Sequence, residues 1–546
     1  MQEDSRNALL RRADWRFLLP DPRPSKTTCF ADGPLRSATE LISQSVVDAP
    51  PVPRGDSDLA VAVDADDRTL RAAFASLRPG GSCFTEWYSP LTGGAKRIRR
   101  RLRAAGFQDV TCYWCWPSPA RSRPQYWLQL SAPGASRYFL RSRSPGGGAI
   151  RRFVRAVVKY IWLVCQRVGF LFPVCAVARK PVPVPSRGGP GPGVSSLSER
   201  RAPICASPFM DDLRELTQAE SQTPDRGASP PVFSQLVLTM GPRSISKIVT
   251  LVFREPDDRP WLAVKMPRVP ESGPGLIREA ATLQAIRAEY GDGLSWAPRV
   301  IFCRERFGTV IVGETALVGR LLSTMLSRRN FRDFALQVTD LLAELVASSQ
   351  PKARTAWWDR LIEPVLSDFS ESFSQVIDPA MLRDTRDALT TLDALPLVCE
   401  QRDLAPWNIL VTRDRQVAAL DWESAELRGL PILDLVYFLT FLSFSLNRAM
   451  CGERLRTFYR TIWDPSTFAG GVVQECMVRY LGRARLDRAA IAPLRLLVWL
   501  IHSRSEYQRF AADVAGKPGP ELLRRSMFVG LWQEELRRAP HRSVPC

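Results

Sequence analysis

Histidine is the residue that this sequence has least of, since only His502 and His541 occur among 546 residues. They supply a Ser-His-Asp triad poorly, and they exclude a metal centre built from several histidines. The 12 cysteines are scattered, apart from the pair Cys112 and Cys115. One C-x-x-C pair without a second pair or nearby histidines gives weak support for zinc or redox chemistry. It favours ordinary thiols in a reducing cytosol.

Long apolar runs are also missing. The N-terminus is charged from the start, so we expect no secretory signal. Residues 148–170 are interrupted by charges too often to span a bilayer, which takes about 20 apolar residues. Arg152, Arg155, Lys159 and Gln166 recur there at helical spacing. We favour the last helix of a folded domain, and the alternative is a basic amphipathic helix on an anionic membrane surface. We therefore expect a cytoplasmic protein, with membrane association as the alternative.

Positive charge is concentrated in the first part of the chain. Residues 1–201 contain 32 Lys and Arg against 15 Asp and Glu, which is 17 of the net charge of +19. The remaining residues are nearly neutral, so we expect no nucleic-acid partner for them. Hydrophobic residues make up 45% of the chain, as in globular proteins, and its length predicts two or more domains.

Strand and helix patterns alternate through residues 1–180. An apolar run at residues 58–63 predicts a buried strand, and residues 68–77 predict a helix. The pattern repeats with a helix over residues 98–105 and a strand over residues 110–116. This alternation predicts an α/β domain with a doubly wound sheet.

The later half of this domain resembles class I S-adenosylmethionine-dependent methyltransferases. The resemblance rests on L-R-P-G-G at residues 77–81, A-A-G-F at residues 104–107 and a late strand at residues 173–178. That family binds its cofactor with a glycine-rich loop, whereas residues 29–34 contain one glycine and a proline that removes a backbone donor. The resemblance therefore implies a degenerate domain with a structural or partner-binding role. An active methyltransferase is the less favoured interpretation.

A linker is predicted after this domain. Residues 181–193 are dense in proline and glycine, and mixed polar sequence continues to residue 231. Such a composition is typical of a mobile tether. We therefore expect residues 1–180 and residues 232–546 to fold independently, with residues 181–231 between them.

A hairpin is predicted in the second half of the chain. Two apolar runs, residues 409–411 and residues 417–420, flank a short polar segment. With the turn centred on Asp414 and Arg415, Asn408 and Asp421 should lie side by side at the open end.

Asp403 precedes Asn408 by five residues on the adjoining loop. A carboxylate, an amide and the second carboxylate of Asp421 should therefore converge. Their oxygens are hard ligands or proton acceptors, suited to Mg²⁺ and a phosphate donor.

The sequence around these residues resembles that of the aminoglycoside phosphotransferase and choline kinase group. Residues 403–410 match its D-x-x-P-x-N-I-L core, residues 420–423 its I-D-W-E, and residues 429–435 its G-x-P-x-x-D-L. The resemblance implies an α+β two-lobed domain of the protein-kinase-like fold, with a small lobe over about residues 232–318 and a large lobe over about residues 319–546. It also implies ATP and Mg²⁺ as cofactors.

The same resemblance extends to the small lobe. Leu262-Ala-Val-Lys265 is similar to the kinase V-A-I-K strand, which implies that Lys265 reaches the phosphates and that Glu279, on the next helix, fixes its position. The phosphate-covering loop is implied near residues 240–247, where Gly241 allows close backbone approach and Ser244 offers a hydroxyl. This loop lacks the kinase G-x-G-x-x-G.

These roles predict an ATP-dependent phosphotransferase acting on a hydroxyl of a small molecule. Asp403 would orient the acceptor and take its proton, while Asn408 and Asp421 would hold Mg²⁺. Gln401 stands where the family usually has His, two residues before the base, and its amide can hydrogen-bond in place of the imidazole. The alternative is a pseudokinase or nucleotide-binding regulatory module. Asp434, after Pro431, would steady the loop through backbone hydrogen bonds.

Overall fold

The structure is a computed structural model. It divides into two compact units, Met1–Ile277 with Val300–Leu317 and Arg278–Arg299 with Val318–Cys546. The described residues are 2–49, 54–88, 94–118, 125–130, 132–142, 173–183, 207–220, 231–241, 243, 245–291, 294–347, 349–447, 453–514 and 516–538. Ser244 and the predicted basic helix at residues 148–170 therefore lie outside the description.

A 12-stranded sheet forms the centre of unit 1. Its strands are β1 Lys26–Phe30, β2 Ser45–Asp48, β3 Ser57–Val63, β4 Leu77–Trp87, β5 Gln108–Trp116, β6 Tyr126–Gln129, β7 Val174–Arg179, β8 Phe233–Leu238, β9 Lys247–Arg254, β10 Pro260–Pro267, β11 Val300–Arg306 and β12 Thr309–Thr315. The helices named in chain order are α1 Gln2–Arg12, α2 Gly33–Ile42, α3 Asp67–Ser76, α4 Ala95–Ala104, α5 Pro133–Ser142, α6 Met210–Glu220 and α7 Gly273–Tyr290. The described residues of this unit also form 3₁₀ turns at Asp14–Leu18 and Pro270–Ser272.

The N-terminal strands are buried on both faces. Strands β2, β1, β3 and β4 run parallel in that order, and β7 lies antiparallel between β4 and β5. Phe84 and Cys83, neighbours on β4, belong to two separate buried clusters, as alternation along a strand requires. Leu35 of α2 packs into the first cluster, whereas Leu70 of α3 and Ile98 of α4 pack into the second. Helices therefore cover both faces, which explains the continuous apolar run of β3.

The N-terminal strands and the small-lobe strands form one sheet. Strand β6 pairs antiparallel with β8, so that Trp127 lies opposite Val237. Both side chains belong to a buried cluster that extends to Leu262 on β10 and Ile311 on β12. The compact units therefore do not divide the chain at residues 180 and 231, and residues 278–299 of the expected small lobe fall in unit 2. A proline- and glycine-rich segment indicates a linker between folded elements. It does not indicate whether a strand before it, such as β6, pairs with a strand after it, such as β8.

Cys112 and Cys115 do not form a paired thiol site. They lie three residues apart on β5 and belong to opposite buried clusters. Burial raises the pKa of Cys112 to about 11 and that of Cys115 well above its usual value. Among the described residues, no group of three or more His, Cys, Asp and Glu side chains is placed to hold a metal ion. Within the same residues, no helix combines the length and apolarity that crossing a bilayer requires.

Unit 2 is mainly helical. Its helices are the later part of α7, then α8 Leu322–Met325, α9 Phe331–Ala347, α10 Trp358–Leu361, α11 Glu363–Phe373, α12 Pro379–Thr390, α13 Leu433–Asn447, α14 Glu453–Ile462, α15 Phe468–Ala484, α16 Ile491–Val514, α17 Pro520–Leu523 and α18 Met527–Arg538. Short strands lie between them: β13 Arg320–Leu321, β14 Pro351–Lys352, β15 Leu395–Pro396, β16 Val398–Glu400, β17 Ile409–Val411, β18 Val417–Ala419 and β19 Glu426–Gly429. Helix α13 is buried along residues 433–444, as expected for an element that is apolar on every side.

Candidate active site

The predicted hairpin is present, with a register one residue from the expected one. Ile409 of β17 pairs with Ala419 of β18, and the backbone N–H of Leu420 donates to the carbonyl of Asn408 at 2.8 Å. Asn408 therefore lies opposite Leu420, and Asp421 follows as the next residue. The reason is Arg415, whose φ of +60° adds a left-handed residue and gives the turn an odd number of residues.

The segment before the hairpin is held by Asp434 at the start of α13. Its carboxylate accepts hydrogen bonds from the backbone N–H of Gln401 at 2.6 Å and of Arg402 at 2.8 Å. Burial raises the pKa of Asp434 to about 7, and the charge of Glu400 adds to the rise. This is the structural role that the family resemblance implied for Asp434.

Gly429 of the G-x-P motif is required by close packing. A Cβ at this position would come within 1.8 Å of a carboxylate oxygen of Glu400. Glu400 is buried, pairs with Arg402 at 3.0 Å and accepts a hydrogen bond from the backbone N–H of Leu430. The glycine therefore lets strand β19 approach the carboxylate that anchors Arg402.

Gln401 connects the loop of Asp403 to the segment of Asp421. Its amide nitrogen donates to the carbonyls of Leu420 at 2.8 Å and Asp421 at 2.6 Å. Its amide oxygen accepts from the backbone N–H of Asp403 at 2.7 Å. The side chain is 1% exposed. The amide of Gln401 thus donates and accepts hydrogen bonds at once. This agrees with the expectation that it can hydrogen-bond in place of the imidazole of His.

We expect Gln401→Ala to lower the free energy of unfolding by about 2–4 kcal/mol, because it leaves buried carbonyls and a buried N–H without their partners. Gln401→His keeps one ring donor and one ring acceptor, so its loss should be about 1 kcal/mol. Urea denaturation of the full-length variants measures both values. An alanine variant as stable as the wild-type protein would contradict the connecting role.

Asp403 is held by two side chains. Its Oδ2 accepts from the amide nitrogen of Asn408 at 2.7 Å, and its Oδ1 accepts from the hydroxyl of Tyr437 at 3.1 Å. Burial raises the pKa of Asp403 to about 6, the two hydrogen bonds lower it, and the charge of Asp421 raises it further. The amide nitrogen of Asn408 also donates to the carbonyl of Asp403 at 3.0 Å. Both hydrogen bonds use the nitrogen, so the amide oxygen is the atom available to a cation.

Tyr437 is a site residue that the sequence reasoning missed. It lies on α13, where its ring stacks on His502 with centroids 3.8 Å apart. His502 is buried, and burial lowers its pKa to about 3, so the imidazole is neutral. The available signal was helical spacing, because Tyr437 lies three residues after Asp434 and should share its helix face.

We expect Tyr437→Phe to lower turnover about ten- to a hundredfold, because Asp403 loses the hydrogen bond that orients its carboxylate. The loss also raises the pKa of Asp403 further, so that more of it is protonated and unable to accept a proton at neutral pH. The Phe ring keeps the stack on His502, and affinity for Mg·ATP should not change. Tyr459→Phe is the matched control, since its buried hydroxyl bonds to Glu535 instead. Steady-state rates and nucleotide titrations of the two variants separate these effects. Equal loss of turnover in both would mean that Tyr437 acts only through stability.

Asp421 is in a strained backbone conformation. Its φ is +55°, which is uncommon for a residue other than glycine and concentrates at functional sites. The next residue, Trp422, donates its backbone N–H to the buried carboxylate of Glu279 at 2.9 Å. Trp422 also packs against Trp296, with ring centroids 5.2 Å apart. Gln401 and Glu279 therefore hold the backbone on both sides of the Asp421 side chain.

Lys265 lies on β10 in unit 1. It is 4% exposed, and its ammonium pairs with the carboxylate of Glu314 on β12 at 2.9 Å. The strand pairing explains the contact. Lys265 lies opposite Val312, and Glu314, two residues further along β12, is on the same face of the sheet. The predicted pair of Lys265 and Glu279 stays a prediction, because the two residues belong to different units.

The segment near Gly241 is close-packed. A Cβ on Gly241 would come within 2.2 Å of the Ser246 side chain. The Ser246 hydroxyl accepts from the backbone N–H of Arg243 at 3.2 Å, and the guanidinium of Arg268 donates to the carbonyl of Gly241 at 2.8 Å. Glycine is therefore needed here for packing within the segment. The phosphate contacts expected of Gly241 and Ser244 remain predictions.

Asn408 and Asp421 fit a magnesium ion. Mg²⁺ is bound by oxygen, and in phosphotransfer sites it takes one or two protein ligands together with phosphate oxygens and water. One amide oxygen and one carboxylate match that donor set, and a set of three protein ligands is not required. The backbone strain at Asp421 is consistent with a side chain held for such a contact.

Comparison with known proteins gives a structural likeness. No protein-family model and no curated protein matches the sequence. The chain is similar to an aminoglycoside phosphotransferase of Streptomyces rimosus, at 15% identity and a TM-score of 0.32 over 54% of this chain and 98% of that one. It is also similar to a spectinomycin phosphotransferase in complex with ADP and spectinomycin, at 11% identity and a TM-score of 0.30 over 56% and 88%.

A third similar structure is a thermostable mutant of an aminoglycoside phosphotransferase, at 12% identity and a TM-score of 0.35 over 60% of this chain and 99% of that one. These three solved structures are phosphotransferases, the group that its motifs resemble. At these identities and TM-scores the likeness carries no conclusion about activity, which has to come from the geometry of the site.

Proposed function

We propose that this protein is an ATP-dependent phosphotransferase that moves the γ-phosphoryl group to a hydroxyl of a small molecule. The observation that carries the proposal is the arrangement of Asp403. Its carboxylate is fixed by Asn408 and Tyr437, its pKa is raised to about 6, and Asp421 is near enough to contribute to that rise. A carboxylate with a pKa closer to neutrality is a better proton acceptor than a solvated one at physiological pH.

In the proposed reaction, the acceptor oxygen attacks the γ-phosphorus and the bond from that phosphorus to the bridging oxygen of ADP breaks. Asp403 orients the acceptor hydroxyl and takes its proton, while the electrons of the broken bond remain on ADP. Asn408 and Asp421 would hold Mg²⁺, which supplies charge neutralisation at the phosphate oxygens when bound. Lys265 is the proposed cationic contact to the phosphates, and Glu279 holds the segment after Asp421.

The test uses the full-length protein. We expect millimolar Mg·ATP to raise its melting temperature, and we expect a panel of alcohols, sugars and aminocyclitols to contain an acceptor that consumes ATP stoichiometrically. No change of melting temperature would count against both the enzyme and a nucleotide-binding module. A rise in melting temperature would favour the nucleotide-binding module instead if, with every acceptor, the wild-type protein consumed ATP no faster than Asp403→Asn does.

A further inference from the structure

A polar cavity lies within unit 1, and its lining includes none of the residues proposed for phosphoryl transfer. Its volume is about 350 Å³. It is bordered by α1, the Asp14–Leu18 turn, the segments before β1 and β2, and the residues that follow β10. Four arginines, Arg6, Arg16, Arg23 and Arg268, line it together with a single acidic residue, Glu271. We call it the arginine cavity.

Arg16 is a buried cation whose hydrogen-bond partners among the described residues are neutral carbonyl groups. Its side chain is 5% exposed. The guanidinium donates to the carbonyls of Ala13 at 3.1 Å, of Leu10 at 3.5 Å and of Arg268. Carbonyl groups satisfy donors but supply no negative charge. Burial lowers the pKa of Arg16 to about 10; the charge of Asp14 opposes this lowering, and the neighbouring cation Arg268 adds to it.

The nearby carboxylate is already engaged. Asp14 pairs with Arg268 through two hydrogen bonds, of 3.0 and 3.2 Å, and both side chains are fully buried. Arg268 also donates to the carbonyl of Thr239 at 3.2 Å. The buried group of Asp14, Arg16 and Arg268 therefore carries a net positive charge. An uncompensated buried charge is costly, and a bound anion would offset that cost.

The rim of the cavity adds positive charge. Arg6 is exposed, and no described residue forms an ion pair or hydrogen bond with its side chain. Arg23 is exposed, and its guanidinium makes one long hydrogen bond, of 3.4 Å, to the carbonyl of Gly308. Glu271 is exposed as well, so water screens its charge more than that of the buried arginine. Ser43 and Gln44 supply neutral hydrogen-bonding groups.

We propose that the arginine cavity binds a small molecule bearing a phosphate group. A phosphate dianion matches several guanidinium groups at once, because each of its oxygens accepts charge-assisted hydrogen bonds from the planar N–H fork of arginine. The volume accommodates a small phosphorylated compound. The proposal does not depend on the phosphotransferase activity, since every lining residue belongs to unit 1 and none is assigned a role in catalysis.

The experiment is calorimetric titration of the full-length protein with pyrophosphate, without Mg²⁺ and at constant ionic strength. We expect saturable binding that falls at least tenfold in the double variant Arg6→Ala/Arg23→Ala, whose exposed positions should not disturb folding. The matched control is Arg68→Ala/Arg71→Ala, which removes two exposed arginines of α3 in the same unit and should leave the affinity unchanged. Succinate, a dicarboxylate, should bind at least tenfold more weakly than pyrophosphate.

Binding at the proposed nucleotide site is distinguished by the double variant Lys265→Met/Glu314→Gln, which should keep the pyrophosphate binding that Arg6→Ala/Arg23→Ala loses. Lack of saturable binding by the wild-type protein would overturn the proposal. So would equal losses in the two arginine double variants, which would indicate general charge attraction. A loss confined to Lys265→Met/Glu314→Gln would place the pyrophosphate elsewhere, and succinate binding as tight as pyrophosphate would overturn the assignment to phosphate.

Discussion

Replacing Asp403 with Asn is expected to lower turnover by roughly 10²–10⁴-fold, the range typical of a lost general base. The amide keeps the shape of the side chain and can still accept the hydrogen bond from Tyr437, but it has lost nearly all of its basicity. Affinity for Mg·ATP should change little, because Asp403 is not proposed to contact the metal. Steady-state rates with the acceptor found by screening, or basal ATP hydrolysis with water as acceptor, measure the loss.

Asp421→Asn is the matched variant, since it makes the same chemical change at the other carboxylate. A neutral amide holds Mg²⁺ less well, so the variant should lose Mg²⁺-dependent ATP binding as well as turnover. Titrations with ATP, with and without Mg²⁺, distinguish the two. If both variants lose nucleotide affinity equally, the roles of the two carboxylates are assigned wrongly. Wild-type turnover in Asp403→Asn would remove the proposed base.

Replacing Lys265 with Met is expected to reduce both stability and nucleotide affinity. The stability loss should be about 3–5 kcal/mol, because the buried carboxylate of Glu314 loses its ion pair. Loss of a cation from the phosphates should weaken ATP binding about tenfold or more, since a hydrogen bond to a charged group contributes about 1.5–3 kcal/mol.

The double variant Lys265→Met/Glu314→Gln separates these two effects. It removes both charges of the buried Lys265–Glu314 pair, so its melting temperature should return towards that of the wild-type protein. If Lys265 contacts phosphate, ATP affinity should stay low in spite of the restored stability. Recovery of both properties together would mean that Lys265 is a structural residue only.

Local elements were predictable from the sequence because their patterns are local. The apolar runs around residues 409–411 and 417–420 predicted strands β17 and β18 to within one residue. The same reasoning gave a register that is wrong by one, because a left-handed residue at Arg415 cannot be read from hydrophobic alternation.

Long-range contacts were harder to predict. The hydroxyl of Tyr437 reaches Asp403 across 34 residues, and the carboxylate of Glu279 reaches Trp422 across 143. The resemblance implied that Glu279 pairs with Lys265. The lysine motif alone does not indicate that Glu314, on a neighbouring strand, also forms an ion pair with this lysine. Strand β6 has four residues and lies beside β8 through a pairing that no turn motif signals. Such contacts depend on tertiary packing, which composition and periodicity do not encode.

The pairing of β6 with β8 has a consequence for any shortened form of this protein. A fragment of residues 232–546 would lack β6, so β8 would become an edge strand. Its backbone donors and acceptors on that side would be open to pairing with other molecules. The fragment would also lack Asp14, so the buried guanidinium of Arg268 would lose its ion pair with that carboxylate. We expect such a fragment to aggregate, which light scattering would detect, whereas the full chain stays monodisperse. Residues 232–546 would thus depend on the basic N-terminal part of the chain to cover this edge, whatever else that part binds.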